Sequence, residues 1–137
     1  MLRDPGDYRN PHEWIKRAKS NLIRARQPKV EGILWEDLCF DTQQAVEKAL
    51  KAVLLSRGIR FRFVHDIAEL LTILEKHAIH LPDEIRAAAG LTDYAVETRY
   101  PGTAEPVTEE EFKEALRTAE AVVVWAQSLI DGPSCQK

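Results

Sequence analysis

The sequence predicts an all-α protein, an up-and-down bundle of about five helices, and three observations carry that prediction. Apolar residues recur at helical spacing in segment after segment. No run alternates with period two for long enough to make a strand, and the β-branched residues fall mainly inside helical patterns. Residues suited to starting and stopping helices stand at the segment boundaries.

Asn10-Pro11 opens the first helix, since Asn caps well and Pro suits the first helical position, where its missing N–H is not needed. Trp14, Ile15, Ala18, Leu22 and Ala25 then form one apolar stripe to about Arg26, with Lys16, Arg17 and Lys19 facing outward. Gln27-Pro28-Lys29 ends it. The second helix, from about Leu34 to Ser56, is the longest continuous pattern, with Gly58 as its C-terminal cap. Its core stripe is Leu38, Ala45, Val46, Ala49, Leu50, Val53 and Leu54.

A short third helix is expected from Asp66 to Glu75, with His65 or Asp66 at its start and Ile67, Leu70, Leu71 and Leu74 on its apolar face. Pro82 begins a fourth, with Asp83 and Glu84 in the first turn where carboxylates suit the macrodipole. Gly90 ends or interrupts it, and its far boundary is placed near Tyr94. Tyr94 to Gly102 then breaks helical periodicity and reads as a loop. Thr108 with Glu111 makes a capping box for a last helix reaching about Ile130. Within it Ala121 to Ala126 reads AVVVWA, apolar on nearly every side, which implies burial by a partner.

At 137 residues, 45% hydrophobic and 30% charged, the chain reads as one soluble domain spanning 1–137 with an ordered core from about 11 to 130, and a multidomain enzyme is excluded. Nineteen Lys plus Arg against 22 Asp plus Glu exclude a polyanion binder held by bulk charge, so any such contact needs a local patch. Cys39 and Cys135 make no disulfide framework, the N-terminal segment lacks a signal-peptide run, and no apolar run of about 18 residues spans a bilayer. The expectation is a cytoplasmic protein without a membrane role.

One polar row stands out. Asp37, Asp41, Gln44, Lys48 and Lys51 follow one another at steps of four, three, four and three on the second helix. Two readings stand for it: Gln44, Lys48 and Lys51 receive the base edge and phosphates of a nucleotide, or the row is a solvated face with a Glu47–Lys51 pair. The stretch from Lys48 to His65 favours an anion, since it holds Lys48, Lys51, Arg57, Arg60 and Arg62 and no carboxylate.

The segment Gln43 to Ala52 (QQAVEKALKA), His65-Asp66 before the third helix and Thr98-Arg99-Tyr100-Pro101 before the last together resemble the HEPN domains (higher eukaryotes and prokaryotes nucleotide-binding) over roughly Pro11 to Ile130. The chain also resembles the C-terminal helical domain of kanamycin nucleotidyltransferase. The resemblance implies a four- or five-helix bundle, a homodimer and a separately encoded minimal nucleotidyltransferase as partner. It also implies a nucleotide site formed by Gln44, Lys48 and Lys51 on one side and Arg99 and Tyr100 on the other, with His65 nearby.

Two readings stand for the segment Thr98 to Pro101: Arg99 forks onto a phosphate while Tyr100 stacks on a base or donates a hydrogen bond, or Arg99 pairs with a carboxylate and Tyr100 anchors the loop against the bundle, with Pro101 stiffening it. His65 reads as a phosphate donor, or as a helix cap or loop staple. HEPN ribonucleases carry an Arg, four to six residues and a His near the start of a late helix. Here no His follows His80, and Arg60 with His65 fits the spacing only in the loop after the second helix. A metal-free RNA cleavage therefore lacks a proton carrier. No metal site, cofactor or catalytic nucleophile is expected. The leading expectation is a non-catalytic nucleotide-binding accessory subunit; the alternatives are a divergent ribonuclease toxin of a toxin–antitoxin pair and a purely structural interaction module.

Overall fold

The computed structural model of the chain describes residues 10–61, 66–91 and 106–132. Helix α1 spans Pro11–Arg26, α2 Trp35–Ser56, α3 Ile67–Lys76, α4 Asp83–Arg86 and α5 Glu109–Asp131, and a 3-10 turn at Ala87–Leu91 continues α4. No strand occurs among the described residues, and no helix there is long and apolar enough to cross a membrane.

The helix ends follow local chemistry. The Asn10 side chain accepts from the His12 N–H at 2.9 Å, and Pro11 fills the first helical position. Leu34 has no side-chain oxygen to cap α2, so the Asp37 carboxylate accepts from the Leu34 N–H at 3.3 Å instead. Asp66, rather than His65, caps α3, accepting from the Ala68 N–H at 2.9 Å; His65 lies outside the described residues. Thr108 and Glu111 form the expected capping box at α5. Helix α2 closes in a Schellman motif: Ile59 N–H donates to Leu54 at 2.9 Å and Gly58 N–H to Leu55 at 3.0 Å, with Gly58 at φ +70°.

Three long helices carry the bundle. Trp14 lies near Lys51 while Arg24 pairs with Asp41, so α1 and α2 run antiparallel. His12 meets Asp131 and Arg26 meets Glu120, which sets α5 antiparallel to α1 as well. Trp35 and Phe112, ring centroids 5.2 Å apart, then bring the starts of α2 and α5 together, so these two run the same way and α3 and α4 form the crossover. The core joins Ile15, Ala18 and Leu22 of α1 to Ala45, Leu50 and Leu54 of α2, with Ile67, Leu70 and Leu74 of α3 and Phe112, Ala119 and Val122 of α5.

Two elements depart from the sequence expectation. Between Asp41 and Leu54 every residue of α2 is buried except Gln44 and Lys48, which are half-buried. The helix is therefore central rather than a surface helix with one solvated edge, because α1 packs directly on the polar row. The fourth helix is shorter than expected. Only four residues are α-helical before the chain tightens into the 3-10 turn that includes Gly90 and turns Ala88 and Leu91 into the core. The predicted boundary near Tyr94 and the Tyr94–Gly102 loop lie outside the described residues.

Candidate functional site

The polar row of α2 meets a matching row on α1. Arg17, Asn21 and Arg24 stand four and three residues apart on α1, on the face that opposes Asp41, Gln44 and Lys48. At its centre Lys48 Nζ donates to Asn21 Oδ1 at 2.9 Å, and Asn21 Nδ2 donates to Asp41 Oδ1 at 3.1 Å. Arg24 closes one end, with its guanidinium 3.2 Å from the same Asp41 oxygen. At the other end Arg17 pairs with Glu13 at 2.6 Å. A seam thus forms in which buried Asn21 and Asp41 hold Lys48 and Arg24, and Glu13 holds Arg17, three cations along one edge of the bundle.

The seam has a floor. Lys51 is buried and pairs with the equally buried Glu47 at 2.8 Å; its ammonium lies 5.8 Å from the Trp14 ring and 5.6 Å from the Phe61 ring. Glu47 also accepts from Gln43 at 3.3 Å, and Gln44 donates to Gln43 at 2.9 Å. The Glu47–Lys51 pair that the solvated-face reading requires does form, but inside the protein, where each charge depends on the other and on hydrogen bonds.

Lys48 has the most distinctive electrostatics. Burial pushes its pKa below the ordinary lysine value; Glu47 raises it, Arg17 and Arg24 lower it further, and Asp41 raises it. Its side chain is only partly withdrawn from solvent, and Arg17 and Arg24 expose 54% and 69% of theirs, so a polyanion can reach all three. Such an arrangement can neutralise phosphate oxygens by charge-assisted hydrogen bonds. Among the described residues no group of three or more His, Cys, Asp or Glu side chains could hold a metal ion.

Of the residues singled out in the sequence, Gln44 and Lys48 sit in the seam and Lys51 beneath it. His65, Arg99 and Tyr100 lie outside the described residues. From the sequence Arg17 reads only as an outward-facing residue of α1, and nothing in the apolar stripe singles out Asn21 or Arg24. The available signal was a polar row at steps of four and three beside that stripe, complementary in spacing to the row on α2.

The apolar run of α5 is divided by the fold. Val122, Val123 and Ala126, half of the run, are buried within the monomer, while Ala121 and Trp125 are half-buried. Val124 remains 70% exposed beside Ile23, over a groove of about 400 Å3 between α1 and α5.

The HEPN domain family model matches residues 11–129. An archaeal HEPN homologue of known crystal structure superposes with a TM-score of 0.71 at 31% sequence identity, over 88% of this chain and 98% of that one. No curated protein matches the chain.

Proposed function

From its membership of the HEPN domain family we propose that this chain is a nucleotide-binding domain, the homodimeric accessory subunit of a separately encoded minimal nucleotidyltransferase. The observation that carries this reading is the Lys48 ammonium held by Asn21 between Arg17 and Arg24. Three cations gathered on one edge of a chain with net charge −3 make a local anion site without a general affinity for polyanions. Phosphates lie against Lys48, Arg17 and Arg24, Gln44 offers an amide to the nucleotide, and Lys51 supports the field from beneath. In this reading Arg99 and Tyr100 supply the other side of the cleft, with His65 nearby, by the resemblance of the Thr98–Pro101 and His65-Asp66 segments. The role is to bind and position; transfer chemistry belongs to the partner.

The apolar groove at Val124 and Ile23 favours the homodimer, since its walls carry both Lys19 and Arg26 and the carboxylate of Glu120, a self-complementary set. Isothermal titration of ATP and GTP into the wild type, Lys48→Ala and Arg99→Ala tests the proposal. Saturable binding that weakens about tenfold or more in both variants is expected. Absence of heat with every nucleotide would leave an interaction module. RNA breakdown by the purified protein, lost in Arg99→Ala, would select the ribonuclease.

A further inference from the structure

The seam opens at its Arg24–Asp41 end into a cavity of about 530 Å3 between the end of α1, the connecting segment and the start of α2. Its size is that of a small-molecule pocket. The apolar surface comes from Val30, Ile33 and Phe40, all three among the exposed large hydrophobic residues, and Phe40 is 46% exposed. An aromatic ring left open at the wall of a concave site is a stacking platform.

The polar wall is equally specific. Asp41 is buried, and both of its contacts, with Asn21 and Arg24, fall on Oδ1. Among the described residues Oδ2 therefore retains its capacity to accept from a ligand. Asp37 lies on the same wall, with Lys29 at the rim near the Trp35 ring. Arg24 and Asp41 belong to cavity and seam alike, and the Asn21 amide that accepts from Lys48 also donates to Asp41, so the ammonium stands one amide group beyond the cavity's polar wall.

We infer that this cavity seats the base of the nucleotide, with the ring stacked on Phe40 and an exocyclic amino group donating to Asp41 Oδ2, while the phosphates run along the seam toward Lys48. The inference rests on the nucleotide-binding reading above and adds the class of base: one that carries an amino group, as adenine does. A carboxylate accepts from such an N–H and repels the oxo group that replaces it in inosine.

Titration of ATP, inosine triphosphate and inorganic tripolyphosphate into the wild type, Phe40→Ala and Phe40→Tyr tests it. Phe40 is partly solvated, so these variants keep the core intact. The expected result is weaker binding of inosine triphosphate than of ATP by the wild type. Phe40→Ala should lower ATP affinity by about 5- to 100-fold, leave tripolyphosphate binding unchanged, and be rescued by the ring of Phe40→Tyr. Equal affinity for ATP and inosine triphosphate would overturn the contact to Asp41. An unchanged ATP affinity in Phe40→Ala with tripolyphosphate still bound would overturn the base seat and leave the phosphate site standing. If that variant instead turned from dimer to monomer by light scattering with ATP affinity unchanged, the pocket would belong to a second copy. If the wild type bound neither ATP nor tripolyphosphate, the nucleotide reading itself would fall.

Discussion

Lys48 on α2 and Asn21 on α1 are joined by a 2.9 Å hydrogen bond from the ammonium to the amide oxygen. The bond does two things at once. It ties together two of the three long helices of the bundle, and it fixes a cation at a partly desolvated position facing the same edge as two arginines. A lysine on a solvated helix would sample many rotamers before meeting an anion; this one is already placed.

Stability and nucleotide affinity should therefore respond oppositely to alkaline pH. The folded-state pKa of Lys48 is depressed, so over the interval between it and the ordinary lysine value the unfolded chain binds more protons than the native one. Stability attributable to Lys48 rises with pH across that interval, whereas phosphate affinity falls as the ammonium is lost. Urea titrations of the wild type against Lys48→Met at pH 8 to 10.5 isolate the first effect, and ATP titrations over the same range the second. Parallel pH profiles for wild type and Lys48→Met in both measurements would remove Lys48 from the argument.

Lys51 should behave as a structural residue. Lys51→Ala leaves the Glu47 carboxylate buried without its 2.8 Å partner and is expected to destabilise the protein by about 3 kcal/mol. The double variant Glu47→Gln/Lys51→Met removes both charges at similar volume and should recover most of that loss. Thermal unfolding by circular dichroism reads both. A Lys51→Ala protein with unchanged stability and lost ATP binding would instead make Lys51 a direct ligand.

The helices were legible because their signals are local: Asn10-Pro11, the Thr108–Glu111 box and Gly58 act within a turn of their own positions. What lay beyond reach was the identity of each helix's neighbour. The row from Asp37 to Lys51 shows equal spacing whether it faces water or another helix, and only the antiparallel packing of α1 makes Asn21 the partner of Lys48. Likewise AVVVWA reads as uniformly apolar, while the three-dimensional packing buries Val122 and Val123 and leaves Val124 outside. The short α4 reflects competition of another kind, since the burial of Ala88 and Leu91 is served by a 3-10 turn that no periodicity announces.

Ala78 offers a stabilising substitution. Helix α3 ends in a second Schellman motif, with Ile79 N–H donating to Leu74 at 3.1 Å and Ala78 N–H to Glu75 at 3.0 Å, and this motif forces Ala78 to φ 64°. An L-residue there carries about 1–2 kcal/mol of left-handed strain. Ala78→Gly relieves it and loses part of the gain to the greater freedom of the unfolded chain, for a net stabilisation of about 0.5–1 kcal/mol. Gly58→Ala is the opposite experiment: a Cβ there meets nothing within 4 Å, so its expected loss of about 1 kcal/mol is purely conformational. Urea midpoints of the two variants should move in opposite directions.

The exposed end of the apolar run on α5 gives the sharpest test of self-association. Val124 contributes little to the core, being 70% exposed, so Val124→Arg should change monomer stability by less than about 0.5 kcal/mol. If two copies pack their α1–α5 grooves together across a two-fold axis, the same substitution introduces two cations into one desolvated interface, close to Lys19 and Arg26 on both sides. Light scattering should then show a dimer for the wild type and a monomer for Val124→Arg at equal micromolar concentration. Glu120→Ala by itself, which removes the carboxylate that Arg26 meets at 2.8 Å, should weaken the wild-type dimer by leaving the groove with one sign of charge. A Val124→Arg protein that remains dimeric would move the interface away from this groove altogether.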